Sequence, residues 1–190
     1  MKQKSPKMIV ERVLCETEKF RLVAREMGLG TDMRETWEIV EQKGIGGARC
    51  IALTEKNELI FVYEYRAAAE KYVLRFPTGA LHEGENPKEA ALREMEEETG
   101  FLPKQIEHIG TLLPTGGYFK GLPLSVFFAS DLVETGKVKP DLGEVDMEVR
   151  KIPLQKAYRM MENLEFDDSS TIHLLVMLKK YLRDKEKAAS

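Results

Sequence analysis

The stretch Gly79-Ala-Leu-His-Glu-Gly-Glu85-Asn-Pro-Lys-Glu-Ala-Ala-Leu-Arg93-Glu94-Met-Glu-Glu97-Glu98-Thr-Gly100-Phe101 sets a carboxylate-rich helix between two glycine turns. Glu94, Glu97 and Glu98 stand at offsets of three and four, so a helix brings them onto one face. Carboxylates that close repel one another unless something positive sits among them. A hard divalent cation that prefers oxygen ligands, Mg²⁺ or Mn²⁺, is the natural occupant. The local pattern supports a helix. Asn86 can cap it, Pro87 suits the first helical position, and Glu89 can close a capping box. Gly100 is placed to end it in a left-handed conformation. Ala91, Met95 and Thr99, or Leu92 and Met95, would pack inward. A solvated acidic face would account for Glu89 or Glu96. It does not account for acids framed by two glycines with an arginine beside them.

The chain around this segment has 190 residues, 43% hydrophobic and 32% charged, which is ordinary for a globular protein with a sizeable core. A net charge of −3 argues against broad binding to nucleic-acid phosphates but leaves room for a small anionic substrate carried by a metal. Cys15 and Cys50 are too few for a disulfide scaffold. No apolar run approaches the ~20 residues that span a bilayer, and no signal-peptide core follows the basic start, so no membrane association and a cytoplasmic location are expected.

Upstream, Ile9-Val-Glu-Arg-Val-Leu alternates weakly, Phe20 to Met27 reads as a strand or short helix, and Thr36 to Glu41 alternates as a strand. Strands are expected at Ala48–Thr54, Leu59–Tyr65 and Tyr72–Pro77, the second being the most β-prone run. Beyond the acidic helix, strands are expected at Gln105–Leu113, Leu124–Ser130 and Asp146–Ile152. Helices are expected at Leu154–Asn163 and from Thr171 to about Arg183, with Asp184 to Ser190 frayed. This order implies an α+β fold or a mixed α/β/α sandwich.

The opening stretch resembles the Nudix box, G-x5-E-x7-R-E-U-x-E-E-x-G-U, with U a bulky apolar residue. Gly79, Glu85, Arg93, Glu94, Met95, Glu97, Glu98, Gly100 and Phe101 meet every fixed position. The resemblance implies the α/β/α sandwich, with an N-terminal β-rich module over residues 1–44 and a catalytic domain over 45–190. It implies hydrolysis of a pyrophosphate bond in a nucleoside diphosphate joined to another group, of the ADP-ribose or nucleotide-sugar type. Glu94 and Glu98, with the carbonyl of Thr78, are then expected to hold Mg²⁺, for which Mn²⁺ can substitute. Glu97 is expected as a third or bridging ligand. Catalysis is assigned to Glu144, Glu97 and Arg93. Arg93 is read as holding the carboxylates in place, and Glu85 as bonded to Arg93 or to a loop amide. Glu144 is expected as the base, in Asp141-Leu-Gly-Glu144-Val-Asp-Met-Glu148-Val, whose spacing departs from the family's late acidic loop by one residue. Asp146 and Glu148 are its rivals.

Other expected substrate contacts rest on the same resemblance. Trp37 and Glu38 match a Trp-Glu pair that meets the adenine in ADP-sugar pyrophosphatases, often across a homodimer interface. As a lone tryptophan, Trp37 could equally be a core anchor. Arg66 matches the arginine of a Q-Y-R motif, with Glu64 in place of the glutamine. Pro114 and Gly117 match an S-P-G loop, or form an ordinary turn. Arg75 departs most, standing where many relatives carry glutamate, and is expected to alter metal or substrate binding or to meet a phosphate. Diadenosine polyphosphates, nucleoside triphosphates or capped RNA are alternative substrates. A non-catalytic nucleotide sensor is a further alternative, although such proteins usually lose acids from the box.

Overall fold

The computed structural model describes residues 5–30, 33–139 and 146–189. Eleven strands and three helices are assigned among them: β1 (Lys7–Glu16), β2 (Phe20–Gly28), β3 (Arg34–Gln42), β4 (Gly47–Ala52), β5 (Glu58–Arg66), β6 (Lys71–Arg75), β7 (Thr78–Ala80), α1 (Pro87–Thr99), β8 (Phe101–Leu112), β9 (Phe119–Lys120), β10 (Leu124–Glu134), β11 (Glu148–Pro153), α2 (Leu154–Glu162) and α3 (Ser169–Ala189). The architecture is a set of mixed sheets with helices, as the pattern predicts. Two compact units divide it, one of residues up to Gly46 together with Leu112–Leu124, the other of Gly47–Thr111 and the chain from Ser125.

In the first unit the strand order is β1-β2-β3-β9. Antiparallel pairing sets Trp37 opposite Arg25 and Glu41 opposite Arg21. Strand geometry therefore puts Trp37, Ile39 and Glu41 on one face. The two-residue strand β9 adds in parallel, Val40 beside Phe119. Phe20–Met27, ambiguous in sequence, is a strand because both neighbours pair with it.

The second unit holds the sheets β7-β4-β10-β8 and β11-β5-β6. Ile60, Phe61 and Val62 of β5 are fully buried, which explains an apolar run without alternation. Phe61 stacks on Phe76 with ring centroids 4.4 Å apart. Helix α1 lies on the first of these sheets through Ala90 and Ala91, which pack with Ala48 and Phe127. Met95 packs with Cys50, Ala52, Ile60, Phe101 and Ala129. Small side chains at this contact let helix and strand approach closely, so the acids at the helix edge sit near the β6–β7 backbone.

The C-terminal end corrects an expectation. Residues 184–189 continue α3 rather than fraying. Lys180 bonds Asp184 one turn on at 2.8 Å, and Lys185 reaches Glu107 at 2.6 Å. Strand β8 also begins earlier than expected, directly after Gly100.

Candidate active site

Helix α1 forms as its ends dictate. The Asn86 side chain accepts the backbone N–H groups of Lys88 and Glu89, and Glu89 returns a bond to the Asn86 N–H. Gly100 closes the helix at φ 72°, where a side chain would be strained. Between the caps, burial follows the helical period: Ala90, Ala91, Met95, Glu98 and Thr99 face inward. Leu92 is only half-buried.

Arg93 organises the outer edge of the site. Its Nε and Nη2 donate to the two oxygens of Glu85 at 2.8 and 3.0 Å, a paired contact. Its Nη1 donates to Glu94 at 2.7 Å and to Glu97 at 3.1 Å. Nη2 also reaches the carbonyl of Ala80 at 3.1 Å. Glu85 in turn accepts the backbone N–H of His82 at 2.9 Å. Hydrogen bonding to Arg93 holds the Glu85 carboxyl down at about 2. The Arg93 guanidinium is held well above its ordinary value by Glu85, against the opposing effect of burial.

The inner edge belongs to Arg75. Glu98 is 1% exposed and accepts from Arg75 Nη2 at 2.9 Å and from the Thr78 backbone N–H at 3.2 Å. Arg75 also donates through Nε and Nη2 to Glu64, itself buried. Its Nη1 donates to the carbonyls of Phe76 and Thr78 at 3.2 and 3.3 Å. Burial works against the charge on Arg75, but Glu64 and Glu98 more than offset it and raise its pKa. Arg66, 55% exposed, bonds the same Glu64 at 2.9 Å.

Gly79 lies where a Cβ would come within 1.6 Å of Glu94 Oε1. The missing side chain is what lets this carboxylate rest against the β7 backbone. The donors here, carboxylates and main-chain carbonyls, are the oxygen set a hard divalent cation takes. The hollow left by Gly79 fits that reading for Glu94. Among the described residues, however, no three acidic, histidine or cysteine side chains converge as a ready-made metal cluster, and guanidinium groups stand among the acids.

The remaining expected residues fall in different places. Glu144 and Asp141 lie outside the described residues. The chain approaches that point along Thr135–Lys139, which is tied to the end of α1: Thr135 N–H donates to Gly100 O at 2.8 Å and Lys139 N–H to Glu97 O at 2.9 Å. Glu148 is exposed on β11 and paired with Arg150 at 2.9 Å, and Asp146 is exposed. Trp37 is half-buried and Glu38 exposed, both on β3 of the first unit. Pro114 and Gly117 belong to that unit too, in a turn closed by Gly121 N–H to Pro114 O at 2.7 Å. Two partnerships escaped the sequence reading. One is Glu64 with Arg75. The other is Arg49, bonded to Ser170 and 3.5 Å from Asp168 at the start of α3. The first was signalled by two departures of opposite sign, an acid for glutamine and a base for glutamate. The second had no local signal.

A family model described as the NUDIX domain matches residues 45–175. The chain belongs to the Nudix family. Among curated proteins, this Nudix chain is 28% identical over 187 residues to the ADP-ribose pyrophosphatase of Bacillus subtilis (strain 168), covering 98% of this chain and 97% of that one. It is 22% identical over 178 residues to the ADP compounds hydrolase NudE of Escherichia coli (strain K12), covering 94% of each. A crystal structure of an ADP compounds hydrolase superposes with a TM-score of 0.85, at 20% identity over 97% of this chain and 98% of that one, a likeness of fold. No helix among the described residues is long and apolar enough to cross a membrane.

Proposed function

We propose that this Nudix protein hydrolyses the pyrophosphate bond of ADP-ribose or a related nucleoside diphosphate sugar, giving a nucleoside monophosphate and a sugar phosphate. The observation that carries the reading is the gathering of Glu85, Glu94 and Glu97 on the single guanidinium of Arg93, with Glu94 seated over Gly79. The near full-length similarity to an ADP-ribose pyrophosphatase supports the substrate class.

Glu94 and Glu97 would hold a Mg²⁺ ion, which when bound would stabilise charge developing on the pyrophosphate oxygens. Arg93 fixes the orientation of both carboxylates and leaves them no freedom to splay. Glu85 holds Arg93 from behind. Glu144 takes the proton of the attacking water. It follows Lys139, whose N–H is bonded to the Glu97 carbonyl, by five residues, a chain length of at most ~18 Å. Glu148 is the weaker candidate, since its carboxylate is already engaged by Arg150.

The N-terminal unit, residues 1–44 in its main part, is proposed to complete a homodimer and to offer Trp37 and Glu38 to the adenine, with Arg66, Pro114 and Gly117 as further substrate contacts. A cytoplasmic setting fits two cysteines that are both free thiols.

The test is a substrate panel with Mg²⁺ in ¹⁸O-labelled water, read by ³¹P NMR. AMP and ribose 5-phosphate from ADP-ribose are expected. Turnover confined to nucleoside triphosphates, diadenosine polyphosphates or capped RNA would replace the substrate assignment. In the same assay Glu144→Gln should lose kcat by orders of magnitude while Glu148→Gln stays active; the reverse result moves the base to Glu148.

A further inference from the structure

Arg75 spends all five of its N–H donors. Nε goes to Glu64, Nη2 to Glu64 and Glu98, and Nη1 to the carbonyls of Phe76 and Thr78. The side chain is 6% exposed, and the carboxylates of Glu64 and Glu98 are 3% and 1% exposed. A guanidinium does not lose its proton in proteins, so this is a permanent buried positive charge. Two of its acceptors, the Glu98 carboxylate and the Thr78 carbonyl, are oxygens that the resemblance to the Nudix box assigns to a metal ion.

We propose that Arg75 is a built-in cation that takes the place of one metal ion at the acidic helix. The protein then binds a single divalent ion, carried by Glu94 and Glu97. Glu98 serves as a positioning residue that anchors Arg75 and, through the Thr78 N–H, the backbone before Gly79. This inference rests on the reading that the α1 acids hold metal.

Charge points the same way. Glu64, Glu85, Glu94, Glu97 and Glu98 face Arg66, Arg75 and Arg93 through the ion pairs already described. Among the described residues, these five negative groups against three positive ones leave a negative excess that a cation complements. A second ion on Glu98 and Thr78 would meet the guanidinium at the same oxygens. Expelling Arg75 would in turn strip Glu64 of its paired contact in a place closed to water.

The experiment is a Mn²⁺ titration of the intact protein, with free Mn²⁺ read by electron paramagnetic resonance. Wild type should bind one ion per chain. Arg75→Gln should bind at least two, and Arg75→Lys, which keeps the charge, should stay at one. Glu97→Gln should weaken the ion at least tenfold, and Glu98→Gln no more than about threefold. Two or more ions on wild type overturn the inference while leaving the metal-dependent function standing, and this result needs no variant to fold. An unchanged count in a folded Arg75→Gln protein, judged by circular dichroism, also overturns it. No bound Mn²⁺ at all would overturn the metal-dependent reading and this inference with it.

Discussion

A methyl group at position 79 would collide with the end of the Glu94 side chain, not with backbone, so Gly79→Ala is a change the fold can absorb and the carboxylate cannot. Glu94 would be pushed off the β7 backbone by more than an ångström. Misplacement on that scale costs about 100-fold in rate when geometry carries the chemistry. Gly79→Ala should therefore lower kcat for ADP-ribose by about that factor, with a melting temperature within a few degrees of wild type. Normal kcat would show that the seat of Glu94 is unimportant. The outer half of the site was legible in the sequence because it is local: Arg93, Glu94, Glu97 and Glu85 belong to one helix and the turn before it. The inner half was not. Arg75 and Glu64 come from different strands, and only their opposed departures from the family pattern hinted that each exists for the other.

Among the elements, β2 and β3 bury a charge of the first unit that has to be balanced. Glu41 is 3% exposed, and burial alone would raise its pKa. Lys120, Arg21 and Arg25 overcome that and lower it to about 2, through contacts of 3.0, 2.5 and 2.5 Å. A carboxyl lowered on folding stabilises the native state above its ordinary value of 4.5 and loses that contribution as pH falls through about 2. Stability to urea should drop across that window, and Glu85 adds to the fall in the same range. Glu41→Gln should cost about 1–3 kcal/mol at pH 7, discounted because Arg21 and Lys120 are partly exposed, and should flatten the acid slope. An identical slope in the variant would show that Glu41 does not govern it. Element by element, the helix caps were readable because Asn86, Pro87, Glu89 and Gly100 each act within a turn. The parallel pairing of β9 with β3 was not, since two residues carry no period. The length of α3 was misjudged because Lys185 finds its partner, Glu107, far away in sequence.

At the scale of the molecule, the first unit leaves apolar side chains in water. Met8, Val13 and Leu14 of β1 are 57%, 51% and 49% exposed. A strand with such residues on both faces is an incomplete surface. A homodimer closed through this unit is the expected state, and sedimentation equilibrium at micromolar protein checks it. A fully active monomer of 21.7 kDa would refute it. Trp37→Ala should raise KM for ADP-ribose with less effect on kcat, because stacking on a base is felt in ground and transition states alike. An unchanged KM would return Trp37 to a packing role. The sequence marked out the N-terminal stretch as a module of its own. It could not show that Leu112–Leu124, much later in the chain, belongs to the same compact unit, because a two-residue strand leaves no pattern to read.

The arginines threaded through the acid cluster also bear on what happens when the medium is stripped of divalent ions. In a site of bare carboxylates, a chelator would release mutual repulsion and loosen the helix that carries them. Here Arg93 and Arg75 remain as counter-charges whatever is in solution. EDTA should therefore silence the enzyme yet shift its melting temperature by no more than about 2 °C, a perturbation of about 0.5–1 kcal/mol for a chain of this size. Activity should return on adding Mg²⁺ without a refolding lag, whereas a fall of ten degrees would mean that the ion is a structural prop. With those outcomes the catalyst would be one that idles through scarcity, synthesised, folded and stored while empty, and switched on by supply.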